Sequence, residues 1–284
     1  MQTLDIPVTG GTLRALRFGE GPHVAIAAHG VTASATSFRT VARHLQPGWR
    51  LVAVDLRGRG GSADLPGPFG MTAHATDLCE VAQSLGAGSV CIVGQSMGAY
   101  AALRAAAARP DLFNRLLLVD GGLPLPVPAG YDLDQVLQAT LGPAVARLTQ
   151  RYASIDDYVA MFRAHPALTA DWNEDMTQYV RYDAVEADDG VRSRTSSAAV
   201  EADSRDLLEH ADSFGADLVN LTIPAHLLYA PRGMFGQPPG LMPQPVVDAC
   251  VANAPQLTAE LIEDCNHYTI LMTDRAAAII AARL

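Results

Sequence analysis

Over the first 120 residues, short apolar runs alternate with longer amphipathic stretches, a rhythm that predicts strands and helices of a sheet covered by helices. His23–His29 (HVAIAAH), Arg50–Asp55 (RLVAVD), Ser89–Gly94 (SVCIVG) and Leu116–Asp120 (LLLVD) read as buried strands, each a continuous apolar run. Met71–Leu85 reads as a helix with Thr72 as its cap and Gly86 as its stop. Met97–Ala108 reads as an alanine-rich helix halted at Pro110. From Gly121 to about Gly215 no strand-like run occurs. That stretch holds a Pro/Gly segment (GGLPLPVPAG), helical pieces at Asp132–Ala153 and Ile155–Ala164, and a charged segment from Asp183 to Asp206. Strands resume at Ala225–Ala230 (AHLLYA) and Leu257–Glu263 (LTAELIE), with helices at Pro245–Asn253 and Asp274–Leu284. The pattern predicts an α/β fold with a mostly parallel central sheet and helices on both faces. Residues 1–120 and 216–284 would form this core, and 121–215 a helical cap. An insertion at the carboxyl end of a strand lies over the crevice where open α/β sheets bind ligands.

Composition narrows the function. The chain has 284 residues, 49% hydrophobic and 18% charged, which suits a folded domain with a large core. A net charge of −10 argues against nucleic acid and against anionic membrane surfaces, leaving a small molecule as the expected partner. No apolar run reaches the roughly 18 residues of a membrane span. The segment MQTLDIPVTGG has neither the basic start nor the apolar centre of a leader peptide, so a soluble cytoplasmic protein is expected. Cys79, Cys91, Cys250 and Cys265 form no CxxC pair and are expected to be reduced thiols. The eight histidines show neither HExxH nor HxH spacing, so neither a metal site nor a cofactor is expected. All 20 basic residues are arginine, which excludes Schiff-base chemistry and Ser–Lys dyads.

The chemistry is written in four motifs. Gly94-Gln95-Ser96-Met97-Gly98 fits G-x-S-x-G between a strand and a helix. There a tight turn holds the serine Oγ above the sheet, and flanking glycines leave room for it. His29-Gly30-Val31-Thr32 follows the first core strand, where a loop supplies a backbone donor to an oxyanion. The N–H groups of Met97 and Val31 are the candidate oxyanion hole, and His29 reads as a buried residue holding its loop. Asp55-Leu56-Arg57-Gly58-Arg59-Gly60-Gly61-Ser62 supplies the third motif, D-x-R-G-x-G-x-S. The fourth is Asp264-Cys265-Asn266-His267-Tyr268, after the last strand.

In this order the motifs resemble the α/β-hydrolase superfamily, and most nearly its cap-bearing esterases, lactonases and C–C or thioester hydrolases. The resemblance implies that Ser96 is the nucleophile and His267 the general base, and that Asp55 and Arg57 stabilise loops. His44, His74, His165 and His210 are expected at the surface. Many relatives carry the acid after the strand that here ends at Ala230, but Ala230-Pro231-Arg232-Gly233-Met234-Phe235-Gly236 offers no carboxylate. A subset, including polyketide-type thioesterases, carries it one element earlier, which points to Asp120, with Asp264 and Asp248 as weaker rivals. Arg232, at a strand end facing the pocket, is expected to pair with an acid of the insertion, or else to meet a substrate carboxylate. Trp172 and Tyr131, with Tyr179 and Tyr182, are expected to line the cavity or to form cap core.

The expectation is a serine hydrolase that cleaves a carboxylic ester, lactone or thioester through an acyl-enzyme. A C–C hydrolase, a cofactor-free haloperoxidase or perhydrolase, or a lyase can use the same triad. A non-catalytic small-molecule receptor is the reading from another class. Serine at the elbow argues against epoxide hydrolases and haloalkane dehalogenases, whose nucleophile is aspartate.

Overall fold

The computed structural model describes residues 1–124, 130 and 132–284. The chain opens with β1 (Gln2–Val8) and β2 (Gly11–Phe18), a hairpin that the sequence pattern does not announce. Next come β3 (His23–Ala28), α1 (Arg39–Arg43), β4 (Trp49–Val54), α2 (Met71–Leu85), β5 (Val90–Gln95), α3 (Met97–Ala108) and β6 (Phe113–Val119). The residues between β6 and the next sheet strand give α4 (Leu133–Thr149), α5 (Ile155–Arg163), α6 (Glu174–Asp183), β7 (Ala184–Ala187), β8 (Gly190–Ser193), α7 (Ser197–Glu209) and α8 (Ser213–Val219). The chain then adds β9 (Ala225–Tyr229), α9 (Gln244–Asn253), β10 (Leu257–Leu261), α10 (Thr269–Met272) and α11 (Asp274–Arg283).

Eight strands form one sheet in the order β1-β2-β4-β3-β5-β6-β9-β10. All pairs from β4 to β10 are parallel, while β1–β2 and β2–β4 are antiparallel. The central strands carry almost no polar side chain because both faces are covered. Ile26, Val52, Ile92, Leu116 and Leu118 join one core cluster, and Ala25, Ala53, Val93, Leu117 and Val119 join the other. Burying an aliphatic side chain of this kind stabilises the fold by about 1.5–3 kcal/mol.

Several local expectations need correction. α2 has Gly70 rather than Thr72 at its cap position, and no side chain caps it; Gly86 does end it, in the left-handed conformation (φ 59°). The stretch after β6 is not purely helical, because β7 and β8 pair as a small antiparallel hairpin. The expected boundary at residue 216 falls inside α8. That helix packs on α3 of the core through Phe214, whose ring meets Tyr100 edge-on at 4.8 Å, and through an Arg104–Asp217 ion pair.

Candidate active site

Ser96 sits between β5 and α3 with φ 54° and ψ −123°, a left-handed strain for a residue with a Cβ. The turn closes because its glycines admit backbone where a side chain would not fit. A Cβ on Gly98 would lie 2.2 Å from the Ala28 carbonyl oxygen, and one on Gly94 would lie 2.1 Å from that of Gly98. The amino end of α3 is therefore held against β3, with its positive pole toward Ser96.

The sheet order brings the other two residues to this turn. Asp120 follows β6, which lies beside both β5 and β9, and His267 lies on the loop after β10. His267 Nε2 is 3.1 Å from Ser96 Oγ, and His267 Nδ1 is 2.6 Å from Asp120 Oδ2. The other Asp120 oxygen accepts the Ala230 N–H at 3.0 Å. Asp120 is fully buried and takes a left-handed backbone, φ 46°. The strand end at Ala230, which offers no carboxylate of its own, thus supplies a donor that orients one from β6. The rivals lie elsewhere: Asp264 pairs with Arg275 at the surface, and Asp248 accepts from Gln244.

His267 is pinned from behind. Its N–H donates to the Arg232 carbonyl at 3.1 Å, and Arg232 Nε donates to the Cys265 carbonyl at 3.1 Å. Among the described residues Arg232 forms no ion pair, so the expected bridge to an acid of the insertion is replaced by a clasp on the loop that carries His267. Gln95 was given no role by sequence reasoning, yet its Nε2 donates to the His267 carbonyl at 3.1 Å. Its place beside the nucleophile was the one available signal. Burial pushes the Cys265 thiol up to about 12, which keeps that neighbour protonated and inert.

On the other side of Ser96 runs the loop after β3. A Cβ on Gly30 would lie 3.6 Å from Ser96 Oγ, so this backbone borders the nucleophile. Among the described residues neither the Val31 nor the Met97 N–H donates to a backbone acceptor. His29 is fully buried, and burial drives its imidazole down to about 3, so it is neutral. Nε2 accepts the Leu56 N–H at 3.0 Å, which leaves the proton on Nδ1 to donate to the Gly30 carbonyl at 2.8 Å.

Buried charge ties this loop to α7. Arg59, without exposed surface, donates from Nε to the Val31 carbonyl at 3.0 Å and pairs with Asp203 of α7. Asp203 also accepts from the Gly70 N–H at 2.5 Å and from His74 Nε2 at 2.9 Å. His74, expected at the surface, is thus fully buried. Asp55 accepts the Ala35 and Gly61 N–H groups at 2.7 and 2.8 Å and the Tyr182 hydroxyl. Arg57 grips Asp77 with Nε and Nη2 at 2.6 and 2.7 Å.

Of the expected cavity residues, Trp172 gives its indole N–H to Thr177 Oγ1 at 3.1 Å and packs among apolar side chains. Tyr131 lies outside the described residues.

Known proteins resemble this chain in sequence and in fold. A family model described as the alpha/beta hydrolase fold matches residues 26–153. N-formylmaleamate deformylase of Pseudomonas putida is 35% identical over 149 residues, 48% of this chain and 56% of that protein. Lipase LipV of Mycobacterium tuberculosis is 33% identical over 154 residues, 51% of this chain and 57% of that one. The matched regions thus span little more than half the length of these relatives. Among solved structures, E-2-(acetamidomethylene)succinate hydrolase superposes with a TM-score of 0.78 at 21% identity, over 99% of this chain and 96% of that one. The thioesterase domain of the curacin biosynthetic pathway gives 0.77 at 20%, over 100% and 98%.

Proposed function

We propose that this chain, which has the α/β-hydrolase fold, is a serine hydrolase cleaving small carboxylic esters, lactones or thioesters. The observation that carries this reading is the unbroken relay from Ser96 Oγ through His267 to Asp120, at 3.1 and 2.6 Å. The Asp120 carboxylate keeps the imidazole proton on Nδ1, so Nε2 is free to take the Ser96 proton as Oγ attacks the carbonyl. The oxyanion is received by the N–H groups of Met97 and Val31. His267 then protonates the leaving group, and water activated by the same imidazole releases the acid. Removing either oxyanion donor would cost about 2.7–4 kcal/mol of transition-state stabilisation, by analogy with oxyanion holes generally.

A second reading is hydrolysis of an acyl C–N bond. It is favoured by the names of two matched proteins, a deformylase and an acetamidomethylene hydrolase. Both readings need the same acyl-enzyme and differ in the leaving group.

The test is a neutral fluorophosphonate probe followed by parallel assays of 4-nitrophenyl esters, lactones, acyl thioesters and N-acyl substrates. Wild type is expected to label at Ser96. Ser96→Ala should not label, and its turnover should fall about 10³-fold or more with an unchanged melting temperature. Unlabelled wild-type protein, or near-normal turnover by Ser96→Ala, would refute the reading.

A further inference from the structure

Among the described residues, Arg147 is a deep cation that the chemistry above does not use. Arg147 lies in the last turn of α4, with its side chain only 14% exposed. Its Nη1 donates to Tyr158 Oη at 2.8 Å, and the guanidinium carbon lies 4.8 Å from the centroid of the Phe162 ring. Withdrawing such a group from water is costly unless opposite charge or dipoles replace the hydration. The nearby carboxylate, Asp183, stands 3.8 Å from Nη1 and is already satisfied by the hydroxyls of Tyr158, Ser193 and Thr195.

The other edge of the guanidinium is open. Nε and Nη2 have no acceptor among the described residues, and neither is among the sealed polar atoms that lack a partner. The side chain is deep but not sealed, with 14% of its surface exposed. This is the edge that holds a carboxylate side-on, as Arg57 holds Asp77 with its Nε and Nη2.

Aromatic packing connects the guanidinium to the candidate site. Phe162, beneath the guanidinium, packs in the apolar cluster that also holds Tyr179 and Tyr268, and the Tyr268 ring lies 5.4 Å from that of His267. Burial raises the Tyr268 phenol, against which the Arg147 charge acts, yet Tyr268 and Tyr179 both retain accessible surface. They are desolvated walls rather than sealed core.

We infer that Arg147 is the centre of a carboxylate-binding subsite, selecting acyl substrates with an anionic carboxylate at the end remote from the scissile bond. The inference rests on the hydrolase reading for its role in turnover, but its binding step can be measured without catalysis. Succinate is the probe, with succinamide as its neutral counterpart. By calorimetry, Ser96→Ala protein should bind succinate and not succinamide. Ser96→Ala/Arg147→Met should bind succinate about 30-fold or more weakly, and Arg147→Lys, which keeps the charge but not the fork, should fall between.

In turnover, wild type should prefer mono-4-nitrophenyl succinate to 4-nitrophenyl butyrate. Arg147→Met should lose that preference, with the loss appearing in KM for the anionic ester. Succinate binding no better than succinamide binding in Ser96→Ala would overturn the subsite, even if the Arg147 variants do not fold. Equal succinate affinity with and without Arg147 would do the same. Failure of Ser96 to label with fluorophosphonate would instead sink the hydrolase reading and leave the binding result standing.

Discussion

Asp120→Asn isolates the orientation of the base from the integrity of the fold. Asparagine is among the few residues that tolerate a left-handed backbone, so φ 46° at this position is not an obstacle. Its volume matches, and the site has no exposed surface to admit compensating water. The carboxylate accepts two hydrogen bonds, one from the Ala230 N–H and one from His267 Nδ1. An amide has one oxygen for these two donors. The Ala230 N–H is backbone and cannot change its role, and leaving it unpaired in this setting would cost about 1–3 kcal/mol. The amide oxygen therefore turns to Ala230, and the amide nitrogen faces Nδ1. The imidazole must then accept at Nδ1 and carry its proton on Nε2, pointing at Ser96 Oγ 3.1 Å away. In that tautomer it cannot act as a base. The expected loss in kcat is up to about 10⁴-fold, equivalent to roughly 5.5 kcal/mol of barrier. The assay is steady-state hydrolysis of a 4-nitrophenyl ester across pH, paired with a thermal melt. A loss below about tenfold in a variant of unchanged melting temperature would refute the assignment of Asp120.

Gly98→Ala should be destabilising by about 1–3 kcal/mol or more, because its Cβ would meet the Ala28 and His29 carbonyl oxygens at 2.2 and 2.7 Å; an unchanged urea midpoint would contradict the tight elbow. Asp203→Asn should show a pH signature. Burial pushes this carboxyl up, but the hydrogen bond and charge of His74 and the charge of Arg59 outweigh it and hold it below the usual range. A depressed carboxylate stabilises fully above its unfolded value, about 3.9, and the benefit is lost as pH falls through the folded value. The variant should thus melt earlier than wild type at pH 7, with the gap closing below about pH 4. A gap that persists into acid would argue against the ionised pair.

Most strands that proved legible are covered on both faces, because each then reads as a continuous apolar run; β3, β4, β5, β6 and β9 are of this kind or close to it, whereas β10 ends the sheet and buries only Leu257. The β1–β2 hairpin escaped because it forms the edge of the sheet and alternates. Asp5, Arg14 and Arg17 stand among Ile6, Val8, Leu13 and Ala15, too few in a row to outweigh the polar positions. β7 and β8 are shorter still, and Val191 is their one deeply buried large apolar residue. The approach of Asp120 to His267 follows from motif order, since strand ends in a parallel sheet converge on one edge. What the sequence withheld is contact between distant positions. Nothing near Arg232 marks the Cys265 carbonyl as its partner, and nothing in α2 marks His74 as buried against an acid 129 residues away.

The ties between the segment joining β6 to β9 and the core are unevenly placed, which bears on how such a protein can change over generations. α6 and α7 are fastened by ionic and hydroxyl contacts: Asp175 to Arg39 and Arg43, Tyr182 to Asp55, Asp203 to Arg59, and Asp206 to the Met71 N–H. Exchanging that half for the equivalent of a distant homologue would strand Arg59 in the interior without its counter-charge, a fault of about 3–5 kcal/mol. Most single-residue drift there would be purged. α4 and α5 carry Arg147 and Phe162, and among the described residues their ion pairs go to α6 and α7 and not to the core. Diversification of ligand preference is therefore expected to accumulate in residues 133–163, while 174–209 co-evolves with positions 55, 59 and 74. A library confined to the first segment should yield far more folded variants with new preferences than one of equal size in the second.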